Sequence, residues 1–341
     1  MQVTGPSAQN CLQTVIGVCI DELKNRGMEA WLYDEDDWPS GTVGGKLTRP
    51  HPEFRMRYLR VQQIVVSGGV TYQTTLEADD NRLLGIQAWK MDDDGQVVLP
   101  ASTDGSTPPC RDITEAYADG KLQWQAPPGK WLVVPLWECP VAERVTWDRA
   151  YYLDTMNPEA VNTFKQMAYE PYLRFREDFG KTVKGIFTDE PGLMIHDGFF
   201  GTAAMRTCVD DPQKTLPGVI LAWTRDFYER FEALKGYDLR PWLLALLRDV
   251  GPETHQIRCD YYDALTTWYI EAYHGNLSAW AAGNGLDYIG HTLEDPLWGA
   301  VRSQGNQIRV LESFHRPGLD YLGHGVGTRE NPFRILASKC G

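Results

Sequence analysis

The residues best suited to chemistry are acids that follow short apolar runs. Asp189 and Glu190 close Val183-Lys-Gly-Ile-Phe187 and precede Pro191, while Glu294 stands just beyond Leu286-Asp-Tyr-Ile289 in a loop shared with His291. A partly desolvated carboxyl at a strand end gains the proton affinity that a general acid needs near neutral pH. A second carboxylate on another strand can then activate water or attack an electrophilic carbon. Glu190 is therefore the candidate acid and Glu294 its candidate partner, with Glu312 as the rival. The plainer alternatives are a turn-capping duty for Glu190 and an ion pair with Arg302 or Arg309 for either partner.

Asp34, Glu35 and Asp154 are candidates for holding vicinal hydroxyls, because carboxylates accept the paired hydrogen bonds that diols donate. The run Asp34, Glu35, Asp36, Asp37 also has the oxygen ligands that a hard cation such as calcium takes. Helix capping is the alternative, and it is the preferred one for Asp36 and Asp37. His291 and His324, at strand ends, can donate hydrogen bonds to a substrate or serve as satisfied structural groups. No His-x-His, HExxH, GxSxG, GxGxxG or GxxxxGK[ST] pattern occurs, so a zinc hydrolase, a serine nucleophile and a nucleotide site are all poorly supported.

These acids need elements to bring them together, and one pattern recurs three times: an amphipathic helix, a glycine stop, a short apolar strand, then acids. The first copy runs from about Gln9 to Asn25, stops at Gly27 and leads through Met28-Glu-Ala-Trp-Leu-Tyr33 to Asp34. The second starts with Asn157 as cap and Pro158 at the first helical position, continues past a kink at Pro171 to Phe179, and stops at Gly180. In the third, Tyr261, Leu265, Trp268, Ala272 and Trp280 share a helix that ends near Gly283-Asn-Gly285. A further strand, Gly318-Leu-Asp-Tyr-Leu322, precedes His324. Strands alternating with helices predict a parallel sheet, and a barrel of that type gathers its site at the carboxyl ends of its strands. Between about Val61 and Trp147 the texture changes to alternation with turn signals, as in Thr71-Tyr-Gln-Thr-Thr-Leu76 and Trp131-Leu-Val-Val134, which predicts an inserted antiparallel β-sandwich.

Composition narrows the partners. A net charge of −13 without a Lys/Arg run argues against nucleic acid and anionic membrane surfaces. No apolar run reaches the length of a membrane span. The 12 Trp and 16 Tyr can stack on sugar faces, although most are expected to fill cores. Seven cysteines without a CxxC pair fit free thiols in a reducing, cytoplasmic compartment, with a secreted or periplasmic location left open if the start is missing.

Several stretches resemble the α-L-rhamnosidase-related glycoside hydrolases: Trp31-Leu-Tyr-Asp-Glu-Asp-Asp-Trp-Pro-Ser-Gly41, Pro127-Pro-Gly-Lys-Trp131, Tyr152-Leu-Asp-Thr-Met-Asn-Pro-Glu-Ala160, Gly185-Ile-Phe-Thr-Asp-Glu-Pro191, Gly236-Tyr-Asp-Leu239, Gly290-His-Thr-Leu-Glu294 and Pro317-Gly-Leu-Asp320. The resemblance implies an α/β fold, a (β/α)8 TIM-type barrel with an inserted β-sandwich, and a carbohydrate substrate with terminal α-L-rhamnose favoured. It places the first part of the barrel at 1–60, the insert at 61–150 and the continuation of the barrel at 151–341. Asp189 and Asp320 then join the substrate-binding candidates. About five strands with rim character are legible where a closed barrel needs about eight, so the expectation is a truncated barrel. No cofactor is implied, calcium being the weak exception. A non-catalytic carbohydrate-binding protein or an inactive barrel fragment is the competing reading.

Overall fold

The computed structural model describes residues 6–35, 38–76, 81–99, 109–141, 151–193, 219–293, 297–318 and 320. In chain order the strands are β1 (Ala30–Tyr33), β2 (Arg57–Val61), β3 (Ile64–Ser67), β4 (Thr71–Thr75), β5 (Arg82–Met91), β6 (Arg111–Asp112), β7 (Tyr117–Ala118), β8 (Lys121–Gln125), β9 (Lys130–Pro140), β10 (Val183–Asp189), β11 (Val219–Trp223), β12 (Asp287–His291) and β13 (Arg316–Pro317). The chain divides into two compact units, one of Met1–Arg55, Glu143–Ile195 and Thr266–Gly341, the other of Met56–Ala142 and His196–Leu265. None of the described helices is long and apolar enough to cross a membrane.

The first unit is built on a four-stranded sheet in the order β1-β10-β12-β13, every pair parallel. Spatial order follows chain order, so each crossover steps the same way, as in a singly wound sheet. Among the described residues this sheet does not close into a barrel. Left-handed glycines, Gly27, Gly180 and Gly285, end the helical stretches ahead of β1, β10 and β12. The helix Pro158–Ala168 starts as its sequence dictates, with the Asn157 side chain accepting from the amides of Glu159 and Ala160. It does not continue to Phe179 as expected. Pro171 has no N–H to continue the ladder, and the chain tightens into a 3-10 stretch, Glu170–Asp178. The helix expected through Trp280 is likewise interrupted, by a π turn at Ile270–His274. β13 covers Arg316–Pro317, and most of the strand expected at 318–322 lies outside the described residues.

Aromatic side chains fill the space behind this sheet. Phe164 stacks on Tyr273 at 5.8 Å and Tyr288 on Phe314 at 4.9 Å, and all but Phe314 are fully buried. Each such ring contributes about 1.5–3 kcal/mol through the apolar area it removes from water.

The second unit is antiparallel. One sheet runs β11-β2-β9-β5-β6 with β3 also on β9, and a three-stranded sheet runs β4-β8-β7. Trp124, Trp131, Trp137, Ile86, Leu122 and Val133 share its core. β9 is buried over nearly its whole length, which suits a central strand covered on both faces. β11 pairs with β2, so residues 219–223 belong with this unit, whereas the sequence reading carried all of 151–341 along the strand-helix repeat. Cys19, Cys110, Cys139 and Cys259 are free thiols.

Candidate functional site

The carboxyl ends of β10 and β12 bring Asp189, Glu190 and His291 together in the first unit. The register pairs Asp189 with His291, so these two residues lie side by side on neighbouring parallel strands. His291 Nε2 is 3.3 Å from Asp189 Oδ1 and its Nδ1 is 3.6 Å from Glu190 Oε1. Successive side chains on a strand point to opposite faces, yet 189 and 190 both meet one imidazole. The backbone of Glu190 provides the reason: its φ of 50° puts it in the left-handed region and ends the alternation. A non-glycine residue held there costs about 1–3 kcal/mol and persists only when its surroundings enforce it. Here the amide of Glu190 donates to the His291 carbonyl at 3.2 Å, which ties the kink to β12.

The site is partly closed to water. Glu190 is 5% exposed and His291 8%, whereas Asp189 is half-buried. Glu190 Oε2 accepts from the Trp38 indole N–H at 2.9 Å, and Asp189 Oδ2 accepts from the Tyr33 hydroxyl at 2.7 Å. Burial and that bond to Asp189 push the Tyr33 phenol well above its ordinary range. Just past the kink, Tyr152 and Thr155 hold Gly192 through its amide and carbonyl, and the Tyr269 hydroxyl donates to the Pro191 carbonyl at 2.6 Å.

The other candidates have different surroundings. Asp34 is 2% exposed, and its oxygens accept from the Ser40 hydroxyl at 2.5 Å and the Tyr169 hydroxyl at 2.7 Å. Burial pushes its carboxyl up to about 6; hydroxyl donors partly offset this, and the charge of Asp189 adds to it. Glu35 Oε2 accepts from the backbone amides of Gly41, Thr42 and Val43. Asp154 is buried, with its carboxylate accepting from the Met156 amide in its own turn. Asp320 is half-buried just past β13, and Glu312 is exposed at the end of the short helix Gln307–Leu311. Glu294, His324, Asp36 and Asp37 lie outside the described residues.

Asp189, Glu190 and His291 are also the group, among the described residues, that could share a metal ion: one ligand atom from each lies within 4.8 Å of the others. Asp34 and Glu35, the described half of the acidic run considered for calcium, take protein donors instead. Sequence reasoning gave no role to Trp38, Ser40 or Tyr33. The signal was present in Trp38-Pro-Ser-Gly41, directly after the acids, but nothing in it indicates that the segment returns to β10.

No known family model matches the chain. Over 314 residues, 82% of its length, it is 22% identical to a Formosa agariphila protein described as "Putative beta-glucuronidase", of which it spans 24%. Its fold is similar to that of the rhamnosidase from Novosphingobium sp. PP1Y, with a TM-score of 0.56 and 14% identity over 92% of this chain and 43% of that one. The chain thus spans less than half of either protein, and at such identity the structural likeness is one of fold.

Proposed function

We propose that this chain carries the acid–base site of a glycoside hydrolase on a partial (β/α) barrel, cleaving a terminal sugar with α-L-rhamnose favoured. One observation carries the reading: a buried glutamate, kinked into the left-handed region at the carboxyl end of a parallel strand, faces an imidazole and a second acid. In this scheme Glu190 protonates the leaving glycosidic oxygen, while Glu294 deprotonates the water that attacks the anomeric carbon from the opposite side. Asp189, His291, Asp154, Asp320 and His324 are the proposed contacts to sugar hydroxyls. Inversion is the proposed outcome, which asks for carboxyls about 6.5–9.5 Å apart. The fold likeness and the names of the two similar proteins support a sugar as substrate class.

The test is hydrolysis of a panel of aryl glycosides, α-L-rhamnoside and β-glucuronide included, by this chain and by a longer chain containing it. Glu190→Gln is expected to lower kcat by about 100- to 10,000-fold while sugar binding persists. Sugar binding without turnover of any member would favour the carbohydrate-binding reading instead.

A further inference from the structure

Residues 34–43 leave β1 and are tied down along their whole described length. Three successive amides, of Gly41, Thr42 and Val43, converge on Glu35 Oε2 at 2.9, 2.6 and 2.8 Å, closing the segment into a ring around one carboxylate oxygen. Asp34 anchors the same ring from the other side by accepting from Ser40 Oγ at 2.5 Å. Ser40 is in turn fixed to β10: its Oγ accepts from the Asp189 amide at 2.7 Å and its own amide donates to the Asp189 carbonyl at 2.8 Å. The Tyr152 hydroxyl donates to the Ser40 carbonyl. Gly41, at a φ of +124°, passes so close to Leu153 that a Cβ would come within 2.4 Å of its side chain, so only glycine fits. Val43, β-branched at a φ of 46°, is held in a conformation such residues avoid. Between these anchors stands Trp38, whose indole N–H reaches Glu190 Oε2.

We infer that residues 34–35 and 38–43 act as a strap that holds the Trp38 indole on Glu190, and that Asp34 and Glu35 are positioning residues for this strap, not contacts to sugar. The inference rests on Glu190 being the working carboxyl. A glutamate has a flexible side chain, and proton transfer requires its oxygen within tenths of an ångström of the productive position. An indole suits that task, because it donates and cannot accept or titrate in the working range. With Oε2 fixed by the indole, Oε1 lies 3.6 Å from His291 Nδ1. Both oxygens of Asp34 already accept from hydroxyls of the protein, Oδ1 from Ser40 and Oδ2 from Tyr169.

Trp38→Phe keeps the ring and removes the donor. It is expected to lower kcat about 10- to 100-fold, the range for a lost hydrogen bond to a charged group, with KM nearly unchanged. Glu35→Gln, which weakens the amide ring, is expected to act on kcat in the same direction. A rise in KM at constant kcat in Glu35→Gln would make Glu35 a sugar contact and overturn the assignment. A second readout needs no turnover: in protein labelled with nitrogen-15 at the indoles, Trp38→Phe identifies the Trp38 N–H signal. That signal is expected to move in Glu190→Gln and to shift toward the free-indole position in Glu35→Gln. Indifference of the signal to Glu190→Gln removes the strap even if the chain hydrolyses glycosides. A responsive signal in a chain that hydrolyses none keeps the strap and rejects the glycosidase reading alone.

Discussion

Each unit buries a carboxylate at 2% exposure, Asp34 in the parallel unit and Glu138 in the antiparallel one, and their surroundings are opposite in kind. Glu138, on β9, receives Arg57 from β2 at 2.6 Å and Arg82 from β5 at 2.8 Å, so guanidinium groups from two neighbouring strands face its carboxylate. The donors that reach Asp34 from Ser40 and Tyr169 are hydroxyls, which bring no charge. The contrast separates two uses of a buried acid. One is an ion-paired acid that ties three strands together. The other can change its charge near neutral pH, beside the end of β10 where Asp189 and Glu190 meet His291.

Removing Glu138 gives the largest expected effect on stability. Glu138→Ala leaves Arg57, whose side chain is only 12% exposed, without its carboxylate. Breaking a buried pair in this way costs about 3–5 kcal/mol, readable as a lower midpoint in denaturant unfolding. A loss below about 1 kcal/mol, the range of an exposed pair, would mean that the strands hold their register without the ion.

Asp34→Asn probes the other side of the contrast through pH. The unfolded chain releases the Asp34 proton near 3.8, whereas the folded chain keeps it up to about 6. The unfolded state therefore gains relative to the folded one as pH rises between those values, and wild-type stability falls through that window and levels off above it. The full difference is roughly 3 kcal/mol for a shift of about two units. It should vanish in Asp34→Asn, so subtracting the variant's stability curve from the wild-type curve isolates the slope. A flat difference between pH 4 and 6 would show that the Ser40 and Tyr169 hydroxyls stabilise the ionised carboxylate after all.

The same contrast marks where the sequence was readable. Capping at Asn157, glycine stops and helical periodicity are local signals, and they located β1, β10 and β12 to within a few residues. The pairing of β11 with β2 joins segments more than 150 positions apart, and a run such as Val219-Ile-Leu-Ala-Trp223 fits a buried strand or a helix equally well. The π turn at Ile270–His274 leaves no mark in residue spacing. At the site, Asp189 and Glu190 were legible as strand-end acids, but their convergence on one imidazole depends on a left-handed backbone at a glutamate, which no propensity suggests. Asp34 and Glu35 stood out as acids in a row. Four of their donors, a serine hydroxyl and three amides, come from six to eight residues further on, where the chain turns back on itself, and a fifth, the Tyr169 hydroxyl, comes from far along the chain.

The smallest expected effect sharpens the comparison from within the arginine pair. Arg82 faces Glu138 across the β5–β9 ladder, but its side chain is 63% exposed, so water and salt screen the attraction in a way they cannot for Arg57. Arg82→Ala is expected to cost no more than about 1 kcal/mol, and added salt should reduce the loss further. Arg57 still meets Glu138 Oε1 in that variant, so the buried acid keeps one full-strength partner. Unfolding measured at low and high salt separates the cases. A small, salt-sensitive loss means that Arg57 alone compensates Glu138. A loss approaching that of Glu138→Ala, and insensitive to salt, means that the carboxylate needs both guanidinium groups and that burial of the acid, not exposure of its partner, sets the strength of the pair.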